Sequence, residues 1–232
     1  MQPTFAPLRM DFDRFEVVDT GTLAETPAPA AGITRRMIER DGGEVARATS
    51  IVRYAPGASF PAHVHDLGEE ILVLEGSFSD EHGSYGTGAY VRNPPGSSHH
   101  PRTDEGCLLF VKLRHLLPDD QTRVVIDTQQ GTWQPGLVPG LMNQLLAMHG
   151  SERTVLVRWA PGTQVPEHTH GTVEETLVLE GEIRDAAHHY PAGTWFRAPR
   201  GSTHAPYSPE GALILIKVGH VQDGVTDLIR PL

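Results

Sequence analysis

Eight side chains in this 232-residue chain stand at spacings that could hold metal ions. His63 and His65 lie two apart, which on a β-strand puts both imidazoles on one face, where they can converge on one cation. Glu69 follows four residues later, past the turn-prone Asp66-Leu-Gly68, and His99 comes from a distant segment after Pro94-Pro-Gly96-Ser-Ser98. His168, His170, Glu174 and His204 repeat the set at the same spacing. One histidine on a strand is ordinarily a core or surface residue. A His-x-His pair with an acid and a further histidine, twice in register, reads as two metal sites. Three neutral imidazoles and a carboxylate, with room for open positions, suit Fe(II), Mn(II), Ni(II), Cu(II) or Zn(II). The expected cofactor is one divalent transition metal per domain. Closed structural zinc sites often use thiolates, and the only cysteine, Cys107, belongs to neither set. An open position would let the ion act as a Lewis acid toward a small, oxygen-bearing ligand or substrate. The residues name no catalytic group beyond the ligands and no organic cofactor site.

The register that joins the two sets extends along the chain. An offset of 105 residues carries Arg53-Tyr-Ala-Pro-Gly57 onto Arg158-Trp-Ala-Pro-Gly162, Leu72-Val-Leu-Glu-Gly76 onto Leu177-Val-Leu-Glu-Gly181, and His115 onto His220. No gap is needed from residue 53 to residue 115. The chain is therefore a tandem duplication of a domain-sized unit. Turn formers at Leu117-Pro-Asp-Asp-Gln121 place the boundary, giving an N-terminal arm at 1–30, a first domain at 31–118 and a second at 119–232. Residues 1–30 show no counterpart, and Pro27-Ala-Pro-Ala-Ala-Gly32 reads as an extended arm.

The elements that must position these ligands are strands. The chain has 24 Gly and 19 Pro, which punctuate short β-branched and aliphatic runs, and no long apolar period of 3.6 residues appears. An all-β fold of two sandwiches or barrels is expected. Ile71-Leu-Val-Leu74, Leu108-Leu-Phe-Val111 and Leu213-Ile-Leu-Ile216 are apolar on both alternating faces. Their outer faces are expected to pack on the sister repeat or on a second subunit, so a homodimer is one expectation.

Gly57-x5-His63-x-His65-x3-Glu69-x6-Gly76 and Gly88-x5-Pro94-x-Gly96-x2-His99 match the two cupin motifs without a departure. Gly162 to Gly181 and Gly193 to His204 match them again. The chain thus resembles a bicupin: two tandem jelly-roll β-barrels, each with a metal inside. Motif spacing selects Glu69 and Glu174 over the adjoining Glu70 and Glu175, which should face the other way. Gly68-Glu-Glu70, Leu74-Glu-Gly76 and Ser79-Asp-Glu81 look most like the ChrR-type cupins. That group includes the sensory half of a zinc anti-sigma factor and resembles acetylacetone and dihydroxyacetophenone dioxygenases. The resemblance implies a non-haem, dioxygenase-like enzyme acting on a small oxygen-rich or dicarbonyl compound. It favours Fe(II), with Mn, Ni and Zn close behind. The alternative it implies is a sensor that binds a metal or small ligand without turnover. No His or Cys precedes His63, so the helical zinc domain of the anti-sigma factor has no counterpart in this sequence.

Composition bounds the rest. A net charge of −10 with no Lys/Arg block disfavours nucleic acid as a partner. No apolar run approaches the roughly 18 residues of a membrane span, and no basic-then-apolar start reads as a secretory signal. A single cysteine fits a reducing compartment, so a cytoplasmic location is expected. Arg92 and Arg197 share a strand face with Tyr90 and Trp195. They could clamp a carboxylate, but surface arginines over an aromatic ring are the expectation, as for Arg53 and Arg158. Glu70, Glu175, His115 and His220 read as surface or interface residues, and Asp80 and Asp185 as turn formers. Asp66-Leu-Gly68 matches Gly171-Thr-Val173 across the repeat, so the pockets are expected to differ in shape, which allows one site to be catalytic and the other structural.

Overall fold

Strands account for the regular structure in the computed structural model, which describes residues 6–221. Among these residues no helix is long and apolar enough to cross a membrane. In the first unit one antiparallel sheet runs Val124–Asp127, Ala89–Asn93, Glu69–Asp80, Cys107–Leu113, Arg47–Tyr54, Ile33–Asp41, Glu25–Pro27. Gly83–Gly86 pairs with Glu69–Asp80, and a separate short ladder joins His63–His65 to Ser97–His99. In the second unit the order is Glu16–Asp19, Thr194–Ala198, Glu174–Arg184, Ala212–Val218, Glu152–Trp159, Leu141–His149, Gln134–Pro135. Its own short ladder joins His168–Thr169 to Thr203–His204. Each unit closes over an apolar interior: Val73, Phe78, Val91 and Leu109 in the first, Val178, Tyr190, Phe196 and Ile214 in the second. The tandem all-β architecture expected from the sequence is the one observed.

Gly76 and Gly181 show why the Leu-Glu-Gly motif matters. Both have left-handed backbone (φ 68° and 67°) beside a register shift with the neighbouring strand. A Cβ would come within 2.2 Å of the Gly106 carbonyl oxygen in the first case and 2.0 Å of that of Gly211 in the second. Only glycine fits such a bulge without moving backbone.

The N-terminal arm differs from expectation. Glu16–Asp19 is a strand paired with Thr194–Ala198 in the second unit, and Val124–Asp127 pairs with Ala89–Asn93 in the first. The rungs are equivalent: Val18 faces Trp195 as Ile126 faces Tyr90. Thr20 Oγ1 donates to the Gly193 carbonyl at 2.7 Å, and Thr128 Oγ1 to that of Gly88 at 2.6 Å. Residues 16–41 therefore do have a counterpart, at an offset of 108 rather than 105. Ile33 faces Tyr54 as Leu141 faces Trp159, and the bulges at Met37/Glu39 and Leu145/Ala147 coincide. The three-residue difference sits in one hairpin: Gly42-Gly-Glu-Val-Ala46 in the first unit, Gly150-Ser151 in the second. Hairpin tips take insertions because few packed atoms depend on them. Accordingly, among the described residues, the contacts group 6–10 and Leu23–Gln130 as one unit and Asp11–Thr22 with 131–221 as the other. The expected division at 118/119 lies before Val124–Asp127, whose pairing holds it to the first unit. Residues 1–5 of the expected arm and 222–232 of the expected second domain lie outside the described residues.

Candidate metal centres

In the first unit the short ladder sets His63 opposite His99, with His65 two residues on along the same face. Glu69 opens the long strand beside it, directly across from Asn93. The ring centroids of the three histidines are 4.6–4.9 Å apart. One ligand atom from each of His63, His65, Glu69 and His99 lies within 4.8 Å of every other. Residues 36 positions apart along the chain are thus brought together at one place.

The surroundings fix which nitrogens face that point. His63 Nδ1 lies 2.9 Å from the Pro61 carbonyl, which takes its N–H and leaves Nε2 as a lone pair. His99 Nδ1 lies 3.2 Å from Asp80 Oδ2, with the same result. Asn93 Nδ2 donates to Glu69 Oε2 at 3.1 Å. His65 Nε2 and His99 Nε2 are buried, make no hydrogen bond, and sit 3.3 and 3.5 Å from Glu69 Oε2. A buried polar atom without a partner costs about 1–3 kcal/mol. Two aimed at one carboxylate fit a site built for a cation. Burial, reinforced by the His63 charge, lowers the His65 pKa to about 4. Burial also lowers His99, against the pull of Glu69, and raises Glu69. His65 and His99 are therefore held as neutral imidazoles, the form that ligates a metal.

The second unit repeats the histidines and loses the carboxylate's position. His168 faces His204 in register, and the three ring centroids lie 4.7–5.2 Å apart. His168, His170 and His204 meet the same mutual-distance condition; Glu174 is not in that group. Its Oε2 is 3.6 Å from His170 Nδ1, while Oε1 accepts from Thr176 Oγ1 at 3.2 Å. Burial raises its pKa to about 7. Position 198, the counterpart of Asn93, is Ala, and Thr176 replaces Ile71. The amide that holds Glu69 is gone and a hydroxyl draws Glu174 aside. His204 Nδ1 stands 3.6 Å from Asp185 Oδ2 and makes no hydrogen bond. His170 Nε2 and His204 Nε2 are 3.1 Å apart.

Asp80 and Asp185 do form turns, as expected: Asp80 Oδ1 accepts from the backbone N–H of His82 and Gly83, and Asp185 Oδ1 from those of Ala187 and His188. Their second oxygens face His99 and His204, a role that their register in both repeats could have signalled. Asn93 was missed because one amide in a motif carries no spacing signal.

Several surface expectations are overturned. Arg92 and Arg197 are 2% and 0% exposed. Arg92 pairs with Glu70 and Asp120, and Arg197 donates to the Asp11 carbonyl and lies over the rings of Phe12 and Trp195. Glu70 and Glu175 are buried too: Tyr90 Oη donates to Glu70 at 2.5 Å and His115 Nε2 sits 3.0 Å from it, while His220 Nε2 is 2.6 Å from Glu175. A buried charge needs such partners, and local patterning cannot show them in advance. Arg53 and Arg158 are exposed, as expected.

The four side chains of the first unit line a cavity of about 340 Å³, together with Ile33, Val52, Tyr54, Phe60, Ile71 and Leu109. That volume suits a small molecule.

The sequence profile described as the ChrR Cupin-like domain matches residues 13–117 and 121–222. The anti-sigma-E factor ChrR of Cereibacter sphaeroides is 36% identical over 73 residues, which is 31% of this chain and 34% of that protein. The matched stretch thus spans about a third of the curated relative. A provisionally assigned dioxygenase of Nostoc punctiforme shares the fold at TM-score 0.75 and 15% identity, over 89% of this chain and 82% of that one. An oxalate decarboxylase of Bacillus subtilis does so at TM-score 0.58 and 14% identity, over 87% and 76%.

Proposed function

We propose, from the premise that this chain belongs to the family of ChrR cupin-like domains, that its first unit is the reactive centre of a metal-dependent, dioxygenase-like enzyme acting on a small oxygen-rich or dicarbonyl compound. One observation carries the reading: His63, His65, Glu69 and His99 converge at the wall of a cavity of small-molecule size, with two imidazole nitrogens left unsatisfied. The dioxygenase and decarboxylase names among the fold neighbours support an enzyme. Iron is the proposed metal, with manganese, nickel and zinc as alternatives, and His168, His170, Glu174 and His204 are proposed as a second set of ligands.

When bound, the metal would supply Lewis acidity and an open position for oxygen ligands. The protein's own part is positional. Pro61 and Asp80 hold the His63 and His99 rings with Nε2 turned toward the centre. Asn93 orients Glu69. Ile33, Val52, Phe60 and Leu109 give the cavity an apolar side, which strengthens the electrostatic contacts made beside it.

A second reading, a ligand sensor without turnover, is favoured by the identity with the anti-sigma factor. Protein purified without added metal should contain transition metal by elemental analysis. After anaerobic Fe(II) loading it should consume O₂ with at least one of a panel of diketones. Tight binding of a diketone without O₂ uptake would select the sensor. Folded, metal-free protein indifferent to chelator would end both.

A further inference from the structure

We infer that the first cavity selects an anionic ligand, a small oxo- or hydroxy-carboxylate, and that Arg35 and Arg114 receive its carboxylate. This rests on the proposed metal centre and names the substrate class for it. Both arginines line the cavity that holds His63, His65, Glu69 and His99. Their side chains are 17% and 13% exposed, and the Nε of each is buried without a hydrogen-bond partner. Each guanidinium is paired at present with an acid whose side chain is 59% exposed: Arg35 with Glu44, at 2.7 and 2.9 Å, and Arg114 with Asp66. An ion pair to a solvated acid contributes little, so an entering carboxylate can replace it, and a guanidinium accepts a carboxylate through two parallel N–H donors.

The second unit has none of this apparatus. The ladder register places Asn143 where the first unit has Arg35. Gly219 stands for Arg114, and Gly171 for Asp66. Glu44 lies in the five-residue hairpin Gly42–Ala46, which is only Gly150-Ser151 in the second unit; Glu44, Val45 and Ala46 of that hairpin all line the cavity. Two arginines and both of their acids therefore occur together or not at all. Arg114 also holds a left-handed backbone (φ 55°), where its counterpart is Gly219 (φ 71°). A side chain kept at a position that favours glycine costs about 1 kcal/mol, and such strain clusters where a side chain is needed. With Glu44 and Asp66 turned to water, the cavity presents two guanidiniums and the dication of the proposed centre against the single carboxylate of Glu69. The metal would take the oxo or hydroxy end, and the apolar wall the carbon chain.

The test is calorimetric titration of Mn(II)-loaded full-length protein with acetoacetate and with its neutral ester, methyl acetoacetate. Acetoacetate should bind at least about tenfold more tightly. Arg114→Gly and Arg35→Asn, each installing the residue of the second unit, should remove most of that preference, and Asp66→Asn should tighten acetoacetate severalfold. Arg114→Gly relieves the backbone, so folding is no obstacle, and Arg35→Asn is an independent check. Metal content is measured on every sample. Wild-type protein that retains Mn(II) yet shows no preference, or a preference that survives both arginine substitutions, overturns the inference alone. Failure of wild-type protein to hold Mn(II) overturns the metal centre beneath it.

Discussion

The two units share a fold and three histidines, and they differ in what holds the carboxylate. In the first, Asn93 donates to Glu69 and the acid closes on the imidazoles; in the second, Ala198 offers nothing and Thr176 takes Glu174. Identical ligand spacing has produced one group of four and one group of three. First-sphere residues set what a site can bind, and the neighbours that fix their orientation set whether they do so together.

Exchange of the ligands themselves should have the largest effect. His99→Ala should remove close to one equivalent of metal and lower turnover by more than about a hundredfold, read by elemental analysis and O₂ uptake. Glu69→Gln should weaken the first site severely, whereas Glu174→Gln should change the second by less than about tenfold, since that carboxylate already stands aside. Equal losses from the two glutamine variants would erase the distinction between the units.

Outer contacts come next. Asn93→Ala and Asp80→Asn should each cost about 10–100-fold in metal affinity at the first site, measured by competition with a chelator. Asp185→Asn should cost less, because His204 Nδ1 is 3.6 Å away and not hydrogen-bonded. An effect of Asp185→Asn as large as that of Asp80→Asn would show that metal binding draws the second site into the geometry of the first.

In chelator-treated protein the imidazoles and the carboxylates of both sites should act on acid stability with opposite signs, since His65 and His170 are lowered to about 4 while Glu69 and Glu174 are raised. His65 folds with its pKa lowered to about 4 by burial, below the 6.5 of an ordinary histidine. As pH falls from 6.5 to 4 the unfolded chain gains a proton there and the folded chain does not, so stability is lost across that window, by about 3 kcal/mol. Glu174 has the opposite sign. Its folded pKa of about 7 exceeds 4.5, so the folded chain takes the proton first and stability is gained as pH falls from 7 to 4.5. His65→Gln should flatten the acid limb in urea titrations at pH 4–6.5, and Glu174→Gln should steepen it.

The smallest effects concern backbone. Gly219→Ala should destabilise by about 2 kcal/mol, since its Cβ would meet the Ser151 carbonyl oxygen at 2.3 Å. Arg114→Gly at the matching place should be neutral or stabilising by up to about 1 kcal/mol in thermal unfolding. A marked loss from Arg114→Gly would mean that the Asp66 pair, not ligand binding, explains the arginine.

Much of this was legible in the residues. His63, His65, Glu69 and His99 had to converge because strand alternation puts i and i+2 on one face and the motif returns His99 to the same barrel. The duplication showed itself through identical spacing from residue 53 to 115. It went unseen before that because three residues in the hairpin Gly42–Ala46 shift the register, and a short strand such as Glu16–Asp19 carries too few side chains to reveal a partner 178 residues away. Arg92, Glu70 and His115 read as surface groups because charge is normally solvated; only packing shows where one buried charge finds another. The sequence by itself determined the strands, the repeat and the set of candidate ligand residues, since these follow from local periodicity and spacing. Tertiary structure alone decided that Asn93 holds Glu69, that Glu174 turns to Thr176, and that Arg35 and Arg114 share the cavity of the first site. Hydrogen bonds and ion pairs depend on atoms within about 3–4 Å of each other, and distance along the chain does not encode that proximity.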